Sequence, residues 1–272
     1  EVHSITELVH TVRLLWKLDA PFALLGGGSN VLVSDSGYRG LVVINRARNA
    51  RFDLQAEPPV VSAETGVNFG ALARQAAGYG LAGLEWAAGI PGSLGGAIYG
   101  NAGAHGGDTA GNMLLAEILH HPGQMETWPV EKFAFAYRRS LLKQAQPGVG
   151  KAPALVILKA TLKLERSTPE AVQAKMDAFV ERRRSSQPPG ASLGSMFKNP
   201  PGDYAGRLIE AAGLKGYQVG GAQISPIHAN FFINTAQATA AEVRALIDLA
   251  QQTVLEKFGV SLELEVELFG EW

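Results

Sequence analysis

An amphipathic helix is the first element that the chain predicts. Ser4 stands three residues before Glu7, which is the spacing of an N-terminal capping box. Apolar residues then recur at helical intervals until Pro21, which cannot continue a helix. The buried face of this helix is predicted to consist of Leu8, Val12, Leu15 and Trp16.

Short apolar runs bounded by glycine, proline or asparagine follow the first helix, and such runs are typical of strands. A short helix is predicted between about Asn68 and Ala77, and a long glycine-rich loop from Gly83 to Gly107. Strands are predicted at residues 22–25, 31–33, 41–44, 60–64, 113–120 and 154–164.

The sequence pattern changes near residue 165 from that of a strand to that of a helix. Thr168 can cap a helix that has Pro169 at its first position, and this helix would run to the three arginines at 182–184. We therefore expect residues 1–165 to form a first domain of two α+β subdomains, and residues 166–272 to form a smaller second domain.

The second domain is predicted to combine helices with a terminal strand. Residues 185–194 are turn-forming, and a short helix covers residues 205–212. Thr239 and Glu242 have capping-box spacing ahead of a longer helix. The fold class is therefore α+β. The longer helix carries an apolar stripe of Val243, Leu246, Ile247, Ala250, Val254 and Phe258, and in the last strand glutamates alternate with Leu262, Leu264, Val266 and Leu268.

Composition narrows the class of protein. Apolar residues make up 46% of the chain and charged residues 18%, which is enough apolar surface for a substantial core. The net charge is -1, which argues against a dedicated nucleic-acid or membrane-surface binder. The absence of cysteine excludes disulfides, thiolate metal sites and cysteine nucleophiles. No histidine pair has metal-ligand spacing, so no metal is expected.

Two features of the chain bear on its location. The N-terminus lacks the basic and apolar regions of a signal peptide. No apolar run reaches the length of about 18 residues that a membrane span requires. We expect a cytoplasmic protein, and the sequence is compatible with a monomer.

A glycine-rich loop separates the first two predicted strands. Gly26, Gly27 and Gly28 precede Ser29 and Asn30. The spacing is neither the Rossmann fingerprint nor a P-loop. Successive glycines can point several backbone N–H groups into one concavity, which suits a pyrophosphate. The alternative is a hairpin turn, and this loop taken alone favours the turn.

A second glycine-rich loop changes that balance. Residues 89–97 hold four glycines and lead to Asn101 and Gly103. Long loops in compact domains usually carry function. Two such loops favour a large planar or phosphorylated ligand held by backbone amides, and close packing of two sheets on glycine is the alternative.

Taken in order, these segments resemble the UDP-N-acetylenolpyruvoylglucosamine reductase family. The resemblance runs nearly from end to end, and the Gly-Ser-x-Phe-Lys-Asn-Pro segment is its most specific part. The short chain matches the compact type, which lacks an inserted tyrosine-bearing loop. Residues 25–32, 83–86, 88–97 and 101–104 resemble the FAD-binding half, and residues 137–140, 194–200, 205–210, 228–231 and 262–266 resemble the substrate-binding half and the terminal strand.

The resemblance implies a fold, a reaction and a cofactor. The fold would be a two-part FAD-binding domain of the vanillyl-alcohol-oxidase-like type followed by a smaller α+β substrate-binding domain. The reaction would be NADPH-dependent, FAD-mediated reduction of an enolpyruvyl UDP-sugar to UDP-N-acetylmuramate for peptidoglycan precursor synthesis, with non-covalent FAD. The cofactor-binding residues would be Gly26, Gly27, Gly28, Ser29, Asn30, Gly92, Ser93, Gly96, Asn101 and Gly103.

Three positions match the catalytic residues of the family. Ser195 would be the proton donor, although a serine after glycine is more often a turn or cap residue. Arg138 would stabilise the carboxylate charge that the reaction develops, and its guanidinium fork suits that purpose. Glu265 would be the third, against the alternative of a solvated strand edge shared with Glu263 and Glu267. A neutral Glu265 could donate a proton, whereas an ionised one could only orient a partner.

The substrate diphosphate requires positive or polar groups in the second half of the chain. At two positions this chain lacks a cation that members of the family carry. Family members often carry arginine where this chain has Glu267, and they usually place a lysine near Ser186. The substrate-binding candidates are Tyr137, Lys198, Asn199 and Arg207, with packing as an equal alternative for Tyr137. Lys215 and the arginines at 182–184 are further cations, and the alternative for the arginine run is that it complements the C-terminal end of its helix.

Two other functions stay open on the residues alone. One is an FAD-dependent oxidase or dehydrogenase of the same wider fold acting on an alcohol or hydroxy acid. The other is a non-catalytic flavin or sugar-nucleotide sensor. Hydrolytic serine chemistry is disfavoured, because Gly194-Ser195-Met196 lacks the Gly-x-Ser-x-Gly elbow.

Overall fold

The structure is a computed structural model that describes residues 1–145 and 152–272. The five helices that the sequence predicted are present, together with three that it did not predict. Ser4 caps the first of them by accepting a hydrogen bond from the Glu7 amide. In chain order the helices are α1 (Ile5–Lys17), α2 (Phe69–Gly78), α3 (Leu94–Gly100), α4 (Thr109–Asn112), α5 (Leu141–Gln144), α6 (Pro169–Ser186), α7 (Ala205–Ala211) and α8 (Ala240–Phe258), with 3-10 turns at Glu85–Ala87 and Val130–Phe133.

The six strands predicted between residues 22 and 164 are present, whereas ten further strands of the described residues were not predicted, among them β10 and the four strands of the second unit's sheet. In chain order the strands are β1 (Phe22–Leu25), β2 (Val31–Val33), β3 (Leu41–Ile44), β4 (Ala50–Asp53), β5 (Val60–Glu64), β6 (Leu81–Ala82), β7 (Gly103–Ala104), β8 (Gly107–Asp108), β9 (Met113–His120), β10 (Gln124–Pro129), β11 (Leu155–Lys163), β12 (Glu165–Arg166), β13 (Ala191–Ser195), β14 (Gln218–Val219), β15 (Ala222–Ile224), β16 (Phe231–Asn234) and β17 (Glu267–Phe269).

The chain forms two compact units whose limits differ from the expected boundary at residue 165. The first unit comprises Glu1–Gly28 and Arg39–Glu181, and the second comprises Ser29–Tyr38 and Arg182–Trp272. The segment 29–38 joins the second unit because β2 pairs in parallel with the terminal strand β17. The limit between the units therefore falls inside the first glycine loop and again inside α6.

The first unit is built on a five-stranded antiparallel sheet in the order β10-β9-β11-β5-β4. Helix α2 and the segment containing α3 cover it, because their apolar side chains are buried with those of the sheet. A parallel pair, β1 and β3, lies beside α1. The predicted face of α1 is buried: Leu8, Val12, Leu15 and Trp16.

The second unit is built on a four-stranded antiparallel sheet in the order β13-β16-β15-β14. Helices α7 and α8 share one apolar core with it. The predicted capping box of Thr239 and Glu242 is present at the start of α8. Asp35 adds a second cap, because its two carboxylate oxygens accept hydrogen bonds from the Ala240 and Ala241 amides, each at 2.8 Å.

Four local expectations were wrong, each for a physical reason. The loop from Gly83 to Gly107 contains α3, whose start is capped by Ser93. The segment 185–194 holds the end of α6 and most of β13. The predicted terminal strand is only three residues long, because the chain bends at residues 265–266 before β17. Phe258 is 40% exposed, since it lies in the last turn of α8 beyond the core.

Among the described residues, none of the helices has the length and apolar content needed to cross a lipid bilayer.

Candidate active site

The two glycine-rich loops predicted to bind the cofactor lie against each other in the first unit. A Cβ on Gly26 would overlap the hydroxyl oxygen of Ser93, and a Cβ on Gly27 would lie 3.2 Å from the Gly92 Cα. The Ser93 hydroxyl is held in place because it accepts a hydrogen bond from the Gly96 amide at 3.3 Å. Only glycine permits this approach, so the loops present backbone rather than side chains.

These loops have the form that an FAD pyrophosphate requires. Gly27 and Gly28 are exposed, and Gly28 has a φ of 66°, a left-handed conformation that favours glycine. Backbone amides in such turns form concavities that bind anions. The residues present therefore fit the cofactor that the sequence predicted. The individual contacts of Gly26, Gly27, Gly28, Ser29, Asn30, Gly92, Ser93, Gly96, Asn101 and Gly103 with FAD stay predictions.

Asn101 occupies the end of α3 and links three backbone segments. It has a left-handed conformation, with φ 43° and ψ 60°. Its side-chain amide donates to the Asp108 carboxylate at 3.3 Å and to the Ala136 carbonyl at 3.1 Å, and its oxygen accepts from the Ala110 amide at 3.0 Å. Asn101 is only 5% exposed. These contacts make it a structural support for the turn that begins at Ala136.

That turn presents Arg138. Ala136 and Arg139 exchange two backbone hydrogen bonds, at 3.1 and 3.0 Å, so Tyr137 and Arg138 form the two-residue tip of a tight hairpin. Arg138 has a φ of 54°, which side chains other than glycine adopt at a cost in free energy. Residues held in such conformations cluster at functional sites.

The Arg138 guanidinium lies over a small cavity of the first unit. Its Nη1 donates to the Gly103 carbonyl at 3.2 Å, and its centre lies 5.6 Å from the Tyr137 ring centroid. The cavity has a volume of about 300 Å³. A planar cation beside an open cavity suits a carboxylate ligand. The lining residues are Asn101, Gly103, Ala104, His105, Gly106, Gly107, Asp108, Tyr137 and Arg138.

Ser195 and Glu265 belong to one hydrogen-bonded framework in the second unit. Ser195 ends β13 and pairs with Phe231 of β16. The Glu265 amide donates to the Met196 carbonyl at 2.9 Å, directly after Ser195. The next residue along, Phe197, bridges Leu264 in antiparallel fashion. The structure thus brings these two predicted catalytic residues onto adjacent hydrogen-bonded segments of the second unit, while Arg138 lies in the first unit.

The three glutamates that the sequence placed on one face differ in exposure. The Glu263 side chain is 72% exposed, whereas Glu265 and Glu267 are half-buried. A regular strand would have given all three the same environment. The surroundings of Glu265 therefore differ from those of a solvated strand edge.

Asn230 is a site residue that the sequence reasoning did not single out. Its side-chain oxygen accepts from the Phe197 amide at 2.9 Å, and its side-chain nitrogen donates to the Phe197 carbonyl at 2.8 Å. Its own carbonyl accepts from the Met196 amide at 2.7 Å. Asn230 is 3% exposed and fixes the segment that follows Ser195. The only indication in the sequence was its place in the segment His228–Phe231.

His228 supports Asn230 and has an altered acidity. Its Nδ1 accepts from the Asn230 amide at 3.2 Å. Burial lowers the pKa of His228 below its usual value, and the nearby Lys215 lowers it further. The neutral imidazole is therefore favoured, because only the neutral ring has an acceptor nitrogen for that hydrogen bond.

Three of the cations predicted to bind the substrate contact a carboxylate of the second unit: Lys198, Arg207 and Lys215. The buried Lys198 pairs with Glu263, and Lys215 pairs with Glu210 at 2.9 Å. Arg207 donates through Nε to Asp203 at 2.6 Å, and this bond lowers the pKa of Asp203 to about 2. The remaining candidate, Asn199, accepts from the Ala205 amide at 3.1 Å. Their roles toward a substrate stay predictions.

Comparisons with known proteins agree with this arrangement. Residues 1–118 match the model of an FAD-binding domain family, and residues 186–269 match the model of the UDP-N-acetylenolpyruvoylglucosamine reductase C-terminal domain. The UDP-N-acetylenolpyruvoylglucosamine reductase of Chloroflexus aggregans is 45% identical over 96% of this chain and 84% of its own length. The Rubrobacter xylanophilus protein of the same name is 42% identical over 100% and 88%.

A solved structure gives the same result for the fold. The crystal structure of UDP-N-acetylenolpyruvylglucosamine reductase from Thermus caldophilus superposes with a TM-score of 0.80 at 34% identity. The match covers 98% of this chain and 90% of that one. The predicted α+β class and FAD-binding domain are thereby confirmed.

Proposed function

The chain belongs to the UDP-N-acetylenolpyruvoylglucosamine reductase family, and from this premise we propose that it reduces the enolpyruvyl group of UDP-N-acetylglucosamine enolpyruvate, with NADPH, to UDP-N-acetylmuramate. The observation that carries this proposal is 42% identity to a reductase of that name across the whole chain. FAD held by the glycine-rich loops would supply the hydride-transfer chemistry between NADPH and the substrate. The protein's own residues bind, orient and protonate.

The two glycine-rich loops are proposed to hold the cofactor. The close approach of Gly26 and Gly27 to Gly92 and Ser93 exposes backbone amides where side chains would otherwise stand. We assign FAD binding chiefly to residues 1–165 and substrate binding chiefly to residues 166–272.

Ser195 is proposed to protonate the substrate carbon next to the carboxylate. Hydride addition to the enol ether leaves negative charge on that carbon, and an enzyme must stabilise and neutralise it. A serine hydroxyl is a weak acid, but this carbanion is a far stronger base than an ordinary acceptor at neutral pH. The Met196 and Phe197 backbone is fixed by Asn230, which restrains the position of Ser195.

Arg138 is proposed to stabilise the charge that spreads into the substrate carboxylate. Its guanidinium carries a positive charge and offers a planar pair of donors. The strained backbone of Arg138 and its anchor at Gly103 hold the side chain in one orientation before the substrate binds.

Glu265 is proposed to assist the proton transfer. Its half-buried position beside the Ser195–Met196 segment supports a role different from that of the exposed Glu263. A protonated Glu265 would donate to the developing charge, whereas an ionised one would orient a proton donor. The two cases predict different pH dependences for the step in which the enolpyruvyl UDP-sugar reoxidises the reduced protein.

Tyr137, Lys198, Asn199 and Arg207 are proposed to bind the UDP-sugar. Lys198 and Arg207 already hold carboxylates, so a diphosphate would compete with Glu263 and Asp203 for them. The product is a peptidoglycan precursor, which ties the proposed activity to cell-wall synthesis and hence to cell shape and division. Because UDP-sugars and NADPH are made and used inside cells, we place the reaction in the cytoplasm.

Steady-state assays test the proposed reaction directly. Purified protein loaded with FAD is expected to oxidise NADPH only when the enolpyruvyl UDP-sugar is added, with formation of UDP-N-acetylmuramate. Oxygen consumption with an alcohol or hydroxy acid, and no reaction with the sugar nucleotide, would identify an oxidase instead. Binding of FAD and sugar nucleotide without turnover would identify a sensor.

A further inference from the structure

Asn30 contacts the terminal segment of the chain rather than only the loop in which it lies. Its side-chain nitrogen donates to the Glu265 carbonyl at 3.0 Å, across 235 positions of sequence. Its own carbonyl accepts from the Glu267 amide at 2.9 Å. Asn30 thus brackets Glu265 and Val266, the two residues at which the terminal segment bends.

Both backbone polar groups of Glu265, its amide and its carbonyl, are consequently held by hydrogen bonds. Its amide donates to the Met196 carbonyl, next to Ser195, and its carbonyl accepts from Asn30. The pairing of Val31 with Glu267 continues the attachment into the parallel strands β2 and β17. A half-buried carbonyl that lost its donor would incur a desolvation cost, so the segment would shift to recover a partner.

We propose that Asn30 is a positioning residue for Glu265, acting through the Glu265 backbone. This inference rests on the proposed catalytic role of Glu265. It assigns to Asn30 a task that its place in a cofactor-binding motif does not indicate, namely fixing the bend that sets the direction of the Glu265 side chain. Shifts of about 1 Å in a catalytic group are enough to slow a reaction strongly.

Two variants remove the side-chain N–H donor of Asn30. Asn30→Asp keeps the shape of the side chain, and Asn30→Ala adds no charge. The matched control is Asn234→Asp. Asn234 lies in the same unit, and its side-chain oxygen accepts from the Ala238 amide at 2.9 Å, a bond that aspartate retains. Each protein is first examined without FAD by hydrogen exchange. We expect faster exchange in the peptide covering residues 262–269 for both Asn30 variants, and unchanged exchange there for Asn234→Asp.

The second readout uses the FAD-loaded protein. After reduction by NADPH, reoxidation by the enolpyruvyl UDP-sugar is expected to slow about tenfold in the Asn30 variants, the loss corresponding to one buried hydrogen bond. In a Glu265→Gln background the Asn30 substitutions are expected to add little, because residues that act as a unit are non-additive. The FAD affinity of each variant is measured separately, so that slower reoxidation is not mistaken for incomplete loading with FAD.

Unchanged exchange in residues 262–269, or losses that multiply fully in the double variants, would overturn the inference. A wild-type protein that the sugar nucleotide does not reoxidise would refute the proposed reaction instead. In that case the exchange measurement still decides whether Asn30 holds the terminal segment.

Discussion

The Glu265 amide donates a 2.9 Å hydrogen bond to the carbonyl of Met196. This bond, together with the Phe197–Leu264 bridge, ties the terminal segment of the chain to the segment that follows Ser195. The two residues assigned to proton transfer therefore share a backbone framework, completed by Asn230 on one side and Asn30 on the other. A substitution that shifts the backbone next to Ser195 or next to Glu265 is therefore expected to disturb both side chains.

Gly26→Ala tests whether the contact between the two glycine loops is needed for the cofactor. The added Cβ would overlap the Ser93 hydroxyl, so the loops must separate. We expect the FAD dissociation constant to rise about tenfold or more, equivalent to about 1.4 kcal/mol. Titration of FAD-free protein, followed by flavin fluorescence, measures it.

The matched control for that experiment is Gly78→Ala. Gly78 lies at the end of α2, and a Cβ there meets nothing within 4 Å. FAD affinity is expected to stay within about twofold of wild type, as for an ordinary surface substitution. An equal loss of affinity in both variants would mean that the loop contact has no special role.

Asn101→Gly tests the support of the Arg138 turn. Glycine keeps the left-handed conformation but removes the side chain that bonds to Ala136 and Ala110. The free energy of unfolding is expected to fall by about 1–3 kcal/mol, the usual cost of buried groups left without partners. Urea unfolding measures it. Gln237→Gly, at an exposed residue with φ 51°, is the control and is expected to be neutral or slightly stabilising.

Arg138→Lys separates the charge of this residue from its geometry. Lysine keeps the positive charge and the same backbone strain but lacks the planar pair of donors. Reoxidation of the reduced protein by the enolpyruvyl UDP-sugar is expected to slow about tenfold or more. Stability is expected to change little. Stopped-flow absorbance follows the flavin directly.

The neighbouring exposed residue provides the control for Arg138. Arg139→Lys is expected to leave reoxidation within about twofold of wild type. If lysine served equally well at both positions, a bidentate role for Arg138 would be untenable.

His228 gives the protein a pH-dependent component of stability. Its folded-state pKa lies below the value of 6.5 for an unfolded histidine. The unfolded chain therefore binds a proton first as pH falls, and stability from this group is complete above pH 6.5 and decreases below it. His228→Asn keeps an acceptor for the Asn230 amide but does not titrate. Unfolding free energies measured between neutral and mildly acidic pH should decline more steeply for wild type than for this variant, and parallel curves would contradict the assignment.

Local pattern predicted five of the eight helices and seven of the seventeen strands in the described residues, and it missed the four-stranded sheet of the second unit. Helical periodicity located α1 and its buried face, and the capping box located the start of α8. Helix α3 was missed because three of its seven residues are glycines, which have a low helix propensity. The Ser93 cap was the available indication.

Long-range contacts could not be predicted in this way. The pairing of β2 with β17, and the bond from Asn30 to Glu265, join parts of the chain more than 200 residues apart. Alternation of leucine and glutamate likewise gave no warning of the bend after Glu265, because a bend depends on what the backbone contacts in space. The candidate site residues were chosen through motifs and stay predictions, whereas the role of Asn230 in fixing the segment after Ser195 became apparent from its hydrogen bonds.

The most direct test of the account is single-turnover kinetics of Ser195→Ala. Reduction of the FAD-loaded protein by NADPH is expected to proceed within about twofold of wild type, because the hydroxyl takes no part in that step. Reoxidation by the enolpyruvyl UDP-sugar is expected to slow by about 10²-fold or more, the usual contribution of a positioned proton donor. Equal slowing of both steps, or an unchanged second step, would contradict the assignment of Ser195 as the proton donor.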